Sequence, residues 1–475
     1  MNKKFFVTTP IYYVNDIPHI GHTVTTVAAD IIARYHKVLG EKAFFLTGTD
    51  EHGAKVAEAA AEQGLPPQEF TDKVSKTFAE IWPKLNINYD YFIRTTNPKH
   101  EKIVQEVLTK IYKKGDIYKA KYTGLYCIGC EKFITESELI KGKCPLHPTK
   151  EVVAQKEENY FFRLSKYVPT LIKAIENENH PFHYRISPQS KKTEVLSRLK
   201  AGVSDLSISR AEVTWGIPIP WDKSQTIYVW VDALFNYYTA TKITGKEDFW
   251  PADLHLIAKD IIWFHTVIWE ALLIAADLLL PKEIFVHNFY LIDGQKMSKS
   301  LGNVIAPQEL IQNYGVDGTR YLIASTFPAT SDSDVSWQKF TEKYNADLAN
   351  GLGNLISRVA KLCESKNYHF KGNLPASISQ ELEIGGYHTH MEKIELNLAL
   401  EEIWRNIANI NLQISIERPW EKTDEETKII LSEAVRGILD IAFALQPFMP
   451  ETAERISAQF KGPRIAAEKP LFPRI

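Results

Sequence analysis

His19 and His22 lie three residues apart around Gly21, in the run Thr-Thr-Pro-Ile-Tyr-Tyr-Val-Asn-Asp-Ile-Pro-His-Ile-Gly-His that spans residues 8–22. At a helix start that spacing puts both imidazoles on one side of the first turn. Gly21 leaves the backbone bare for a close ligand. The N-terminus of a helix supplies free N–H groups and partial positive charge, which suit a phosphate. Two imidazoles placed there can meet phosphate oxygens as charge develops on them. Taken alone, the motif also fits a helix start with two surface histidines. A second cluster, Lys296-Met297-Ser298-Lys299-Ser300, sits between Gly294 and Gly302. Lysines on a loop between hinges suit a transient cluster of negative charge, such as departing pyrophosphate. A third set pairs Cys127-Ile128-Gly129-Cys130 with Cys144-Pro145-Leu146-His147. Two such knuckles supply four ligands for one tetrahedral Zn2+, and a closed ligand set makes that zinc structural. Asp50 ends the run Thr47-Gly48-Thr49-Asp50 and reads as a helix cap or as a partner for a ligand amine.

The elements that must carry these groups alternate between strand and helix. Residues 5–8 form a strand ahead of the His19–His22 turn, and a helix pattern follows from Val24 to Leu39. A second strand covers 42–46, with helical patterns at 54–64, 67–81 and 98–113. After a tyrosine-rich stretch of short strands the alternation returns. Residues 226–233 read as a strand leading into an aromatic helix, 254–258 as a strand, 261–280 as a helix opened by Lys259-Asp260, and 283–287 as a strand. Such alternation implies a parallel sheet with ligands beyond the carboxyl ends of its strands. From 340 onward only helical periodicity is found, at 340–361, 396–416 and 428–448, which predicts a helical bundle. The expected organisation is an α/β, Rossmann-type parallel-sheet catalytic domain (1–115 and 226–325) with a zinc-binding connective insertion (116–225). A stem-contact linker region taken with the catalytic loop (326–345) and an all-α helical-bundle domain (346–475) follow.

Composition sets the class. With 475 residues, 44% hydrophobic and 24% charged, the chain is globular and of several domains. A net charge of -2 argues against gross electrostatic binding of nucleic acid but leaves room for a local basic groove. No apolar run is long enough to span a membrane, so no membrane partner is expected. The four cysteines form no disulfide framework, since three cluster and Cys363 stands alone, and a reducing cytoplasm is expected.

His19-Ile20-Gly21-His22 and Lys296-Met297-Ser298-Lys299-Ser300, in this order and setting, resemble the two signature motifs of class I aminoacyl-tRNA synthetases. The resemblance narrows to the methionyl-tRNA synthetase family through Thr9-Pro10-Ile11-Tyr12-Tyr13-Val14-Asn15, Gly48-Thr49-Asp50-Glu51-His52-Gly53, Ile208-Ser209-Arg210, Trp215-Gly216-Ile217-Pro218, Tyr228-Val229-Trp230-Val231-Asp232-Ala233, Lys259-Asp260, Phe264-His265 and Pro419-Trp420. It implies catalytic roles for His19, His22, Lys296, Lys299 and Arg210. It places ATP, carried with Mg2+, on His19, Gly21, His22, Asp260, Lys296, Ser298 and Lys299. It places methionine among Pro10, Ile11, Tyr13, Trp230, Ala233, Leu234, Tyr237 and His265, with Asp50 on the ammonium and Tyr237 and the Ile11 N–H near the sulfur. It places the tRNA(Met) anticodon on Asn350, Asn354, Arg358 and Trp420. The first three of these lie four apart, on one face of a regular helix.

Ala258 and Asn288 depart from the family, which usually has glycine there, and Gln413 replaces a usual aromatic. The sequence stops after the bundle, without the dimerising module of many relatives, so a monomer is expected. The alternatives are a class I ligase for another amino acid, a non-catalytic tRNA-binding paralogue and a small nucleotidyltransferase. The stretch from His22 to Lys296 is too short for the editing insertion of the valine, isoleucine and leucine enzymes. The paralogue should have lost signature residues that are all present. The nucleotidyltransferase leaves the insertion and the bundle unexplained.

Overall fold

The structure is a computed structural model and describes residues 3–15, 17–127, 132–134, 136, 139–140, 142–145, 150–297, 302–369 and 384–475. A seven-stranded sheet organises the first two thirds of the chain. Its order is Tyr12–Tyr13, Lys42–Asp50, Lys4–Thr8, Leu254–Ala258, Glu283–His287 and Arg185–Ser187, and Tyr91–Arg94 also pairs with Lys42–Asp50. Every pairing is parallel. Side chains alternate along each strand, so both faces find a core. Val7, Phe45, Leu254, Leu256 and Phe285 enter one core, whereas Phe6, Phe44, Leu46, Ile257 and Ile284 enter the other. Strand Lys4–Thr8 is central. The chain leaves it toward Lys42–Asp50 on one side and returns as Leu254–Ala258 on the other. The winding direction changes at Lys4–Thr8, and ligands of such sheets bind beyond the carboxyl ends of the strands at that point.

Arg185–Ser187 falls within the stretch assigned to the insertion, yet it is the edge strand of the central sheet. The rest of that stretch builds an antiparallel sheet of Lys132–Ile134, Ile117–Cys127, Val152–Phe162 and Leu206–Ser207. A small sheet joins Gln295–Lys296, Tyr290–Ile292 and Ser333–Val335. It ties the start of the lysine loop to the linker region that precedes the bundle.

Two elements differ from the sequence reading. The strand expected at 226–233 ends at Ile227, and Val229–Leu234 is a helix. Its β-branched and aromatic residues suit a buried strand or a buried helix equally, and tertiary contacts decide. The helix expected over 261–280 is shorter and composite. A 3-10 turn, Lys259–Ile261, and a π-helix, Phe264–Trp269, precede the α-helix Glu270–Ala275. Side chains occupy carbonyls along this stretch. Thr266 donates to the Ile262 carbonyl at 2.7 Å, Tyr184 to the Thr266 carbonyl at 2.8 Å, and His265 Nδ1 to the Ile261 carbonyl at 3.1 Å. Irregular turns of this kind are common at functional sites.

The C-terminal region is helical, with Gly353–Ser365, Tyr387–Glu392, Leu396–Glu417, Asp424–Leu445 and Pro450–Phe460. It shares one continuous core with the helix Ile20–Val38 and with Pro307–Ser325. Arg320 sits at the junction, fully buried. It donates to the carbonyls of Phe448 at 2.8 Å, Pro447 at 2.9 Å and Leu85 at 3.2 Å, and pairs with Asp30 at 2.7 Å. Asp30 lies on the helix that begins at His19.

Candidate active site

The helix Ile20–Val38 starts at the switch point of the sheet, and His19 is its cap. His19 Nδ1 accepts the Gly21 N–H at 3.1 Å, and His22 Nδ1 accepts the His19 N–H at 3.3 Å. Each Nδ1 is therefore an acceptor, so each neutral ring carries its hydrogen on Nε2. The rings stack with centroids 3.8 Å apart. Burial and, after it, the neighbouring His19 hold His22 well below the usual histidine range. The pair thus offers neutral N–H donors at the positive end of a helix. The Ile20 N–H is tied to the Ile305 carbonyl at 2.9 Å, just beyond the lysine loop. Met297 closes on the same turn, because a Cβ on Gly21 would lie 3.2 Å from the Met297 methyl and 2.9 Å from His19 Cε1. The two signature segments therefore meet. Ser298 and Lys299 lie outside the described residues, as does the side chain of Lys296.

The pocket residues come from the segment 10–13, the strand Lys42–Asp50, the helices Val229–Leu234 and Asn236–Thr244, and the π-helix Phe264–Trp269. Ile11, Tyr13 and Trp230 are partly buried against the cluster that contains Leu234 and Tyr237. Pro10 is half-buried beside them in sequence, and Ala233 is buried on the helix Val229–Leu234. Trp230 stacks on Phe264, with centroids 4.0 Å apart and planes 11° from parallel. His265 is buried, and Nε2 lies 2.8 Å from the Tyr237 hydroxyl. Asp50 is buried at the end of its strand, where Tyr13 pairs with it and its carbonyl takes the Val14 N–H. Asp260 is exposed in the 3-10 turn Lys259–Ile261 that follows Leu254–Ala258. Arg210 is buried, donates to the Ser209 carbonyl at 2.7 Å and covers the Tyr228 ring at 4.0 Å, next in the chain to the pocket helix.

Sequence reasoning missed the charged frame behind this pocket. Glu51 is fully buried and receives Arg94 through two nitrogens at 2.7 and 2.8 Å. Asp232 is buried between His52 and His100 at 2.7 Å each. His52 and Asp232 stand inside quoted motifs, but a lone histidine on the helix Pro98–Lys113 gives no signal. Ala258 and Asn288, the two positions where a glycine was expected, fit the backbone without one. Ala258 has φ -86°, and Asn288 is absent from the residues with positive φ. A glycine is not required at either position.

In the bundle, Arg358 and Trp420 come together, with the guanidinium 5.8 Å from the ring centre. Arg358 also donates to Ser415 at 3.0 Å, and Trp420 is 47% exposed. Asn354 is exposed on the same helix. Asn350 is exposed as well. It lies in a π-helix, Tyr344–Leu352, and its side chain accepts from Arg474 at 2.9 Å. Of the zinc ligands, Cys127 and Cys144 are buried in one small cluster with Leu125, Leu139 and Val152. Cys130 and His147 lie outside the described residues. Among the described residues no group of three or more ligands forms a metal site, and no helix is long and apolar enough to cross a membrane.

The family model described as tRNA synthetases class I (M) matches residues 5–155 and 147–360. The chain is 41% identical to the methionine–tRNA ligase of Caldanaerobacter subterraneus subsp. tengcongensis, over all of this chain and 79% of that protein. It is 43% identical to the same enzyme of Clostridium perfringens, over 96% of this chain and 73% of that one. Among solved structures it is similar to Mycobacterium tuberculosis methionyl-tRNA synthetase in complex with methionyl-adenylate. The TM-score is 0.89 at 34% identity, over 99% of this chain and 100% of that one.

Proposed function

This chain belongs to the class I methionyl-tRNA synthetases, and we infer how its residues divide the work of that enzyme. It activates methionine with ATP and charges tRNA(Met). The observation that carries the residue-level reading is the stacked pair His19 and His22, fixed as Nε2–H donors at a helix start beneath Met297.

The methionine carboxylate attacks the α-phosphorus of ATP, and magnesium pyrophosphate leaves. The nucleophile is already an anion, so the site needs no general base. Its work is positioning and stabilisation of charge. His19 and His22 donate to the phosphates, Gly21 lets them approach, and Lys296, Ser298 and Lys299 close over the departing pyrophosphate. Asp260 holds the ribose. Asp50 takes the methionine ammonium, while Pro10, Ile11, Tyr13, Trp230, Ala233, Leu234, Tyr237 and His265 enclose the thioether, which packs well on aromatic rings. Arg210 braces the pocket from Tyr228. The terminal ribose of the tRNA then attacks the methionyl carbonyl and releases AMP. Trp420 stacks on an anticodon base, and Asn354 and Arg358 meet base edges. Asn350 joins them after release from Arg474.

The domain division proposed from the sequence is kept, with Arg185–Ser187 lent to the catalytic sheet. Cys127, Cys130, Cys144 and His147 are assigned one structural zinc. The joint burial of Cys127 and Cys144 supports the assignment. A reducing, cytoplasmic setting suits Cys363, a bundle thiol that burial pushes up to about 12.

Exchange of labelled pyrophosphate into ATP, run without tRNA across the twenty amino acids, tests this reading. Signal with methionine alone is expected. Signal with a different amino acid overturns the pocket assignment, and no signal overturns the catalytic one.

A further inference from the structure

Two of the elements that build the pocket lie far apart in sequence. The strand end 48–53 brings Asp50, and the helix Val229–Leu234 brings Trp230, Ala233 and Leu234. One buried side chain joins them. Asp232, on that helix, is 1% exposed, and each of its carboxylate oxygens lies 2.7 Å from a different histidine. His52 Nδ1 donates to Oδ2 from a point two residues beyond Asp50. His100 Nε2 donates to Oδ1 from the helix Pro98–Lys113. His100 continues through Nδ1 to Thr239 Oγ1 at 2.7 Å, on the helix that carries Tyr237. His52 is held from its other side by Glu101, 3.8 Å from Nε2, and its ring meets Trp215 edge-on at 5.4 Å. Burial pushes the Asp232 carboxyl up, but the two histidines outweigh it and keep it ionised, below the usual range.

We propose that His52, Asp232 and His100 are positioning residues for methionine. Their clamp sets the distance between the ammonium partner Asp50 and the side-chain wall Trp230–Leu234, and so the length of amino acid the pocket accepts. The proposal rests on the methionine reading above. A surface bridge would be a weak device for this purpose, but a buried carboxylate with a donor on each oxygen has one geometry. Small displacements of a bound reactant are costly, so the clamp acts on rate and selectivity through residues that do touch the substrate.

The test compares donor-keeping with donor-deleting variants in methionine-dependent pyrophosphate exchange. Asn places an N–H where His52 has Nδ1, and Gln places one where His100 has Nε2. His52→Asn and His100→Gln should keep the wild-type methionine KM, while His52→Leu and His100→Leu should raise it by about ten- to a hundredfold with the ATP KM unchanged. Asp232→Asn presents an N–H to one of the two donors and should behave like the Leu variants. The ratio of kcat/KM for methionine over homocysteine should fall in the same variants. The proposal is overturned if methionine and ATP KM values rise together, if the Asn and Gln variants fall as far as the Leu variants, or if the homocysteine ratio stays fixed. Should the Leu variants not fold, the ratio in His52→Asn, His100→Gln and their double variant decides. A wild-type ratio in all three supports the clamp, and a loss of selectivity with both donors kept overturns it. Wild-type protein inactive with methionine would instead sink the underlying reading.

Discussion

Tyr237 donates its hydroxyl proton to Nε2 of His265 across 2.8 Å, because the other ring nitrogen gives its hydrogen to the Ile261 carbonyl. Both residues are buried, so the bond fixes the tautomer of the ring and the tilt of the phenol together. Removing the hydroxyl with Tyr237→Phe leaves a buried acceptor unpaired, at a cost of about 1–3 kcal/mol. The expected outcome is a drop of that size in unfolding free energy by urea titration, together with a raised methionine KM and an unchanged ATP KM.

Gly21→Ala puts a methyl against His19 Cε1 and the Met297 methyl. The His19 ring cannot swing aside without losing the Gly21 N–H, so the phosphate donors move. Pyrophosphate exchange should slow by about a hundredfold, as misplacement of a reacting group predicts. Melting temperature should change little, since the crowded atoms are side-chain ends.

Stability should fall on mild acidification. Burial lowers His265 and His287 each to about 4. The unfolded chain binds those protons near pH 6.5 and the folded chain does not. Above pH 6.5 neither state is protonated and no penalty exists. As pH falls from 6.5 toward 4 each histidine costs about 1.4 kcal/mol per pH unit, and below 4 the penalty is constant. Urea titrations at pH 7, 6 and 5 should show the decline. His287→Gln, which can keep the Thr25 contact, should make it shallower by one proton.

Trp420→Ala should impair charging of tRNA(Met) while leaving amino-acid activation intact. Loss of one stacked base is worth about 1–3 kcal/mol, seen as a raised tRNA KM. An equal fall in pyrophosphate exchange would show that the residue serves the bundle alone.

Prolonged chelation should release one zinc per chain by metal analysis and lower the first unfolding transition. Cys144→Ser should do the same without chelator. Unaltered metal content in Cys144→Ser would remove that residue from the ligand set.

The sequence was legible where chemistry and periodicity agreed. The helices Pro98–Lys113 and Leu396–Glu417 match their apolar repeats, and strand Lys42–Asp50 announces itself by a buried run. Val229–Leu234 was not legible, because a Tyr-Val-Trp-Val run is apolar at both periods and so does not distinguish strand from helix. The π turns at Phe264–Trp269 and Tyr344–Leu352 escape any reading by fixed spacing. The His52–Asp232–His100 contact joins three segments and has no local pattern to betray it.

Arg320 makes the chain resistant to being cut in two. Its guanidinium belongs to the helix Pro307–Ser325, but two of its acceptors, Pro447 and Phe448, come from the turn between the last two long helices. A fragment that ended before that turn would keep a buried cation with half its acceptors gone. Breaking such a buried set costs about 3–5 kcal/mol, a large share of what holds a domain together. The catalytic half is therefore not a portable part. A chimera that exchanges bundles between relatives must carry the 446–449 turn with the incoming helices, whichever anticodon they read.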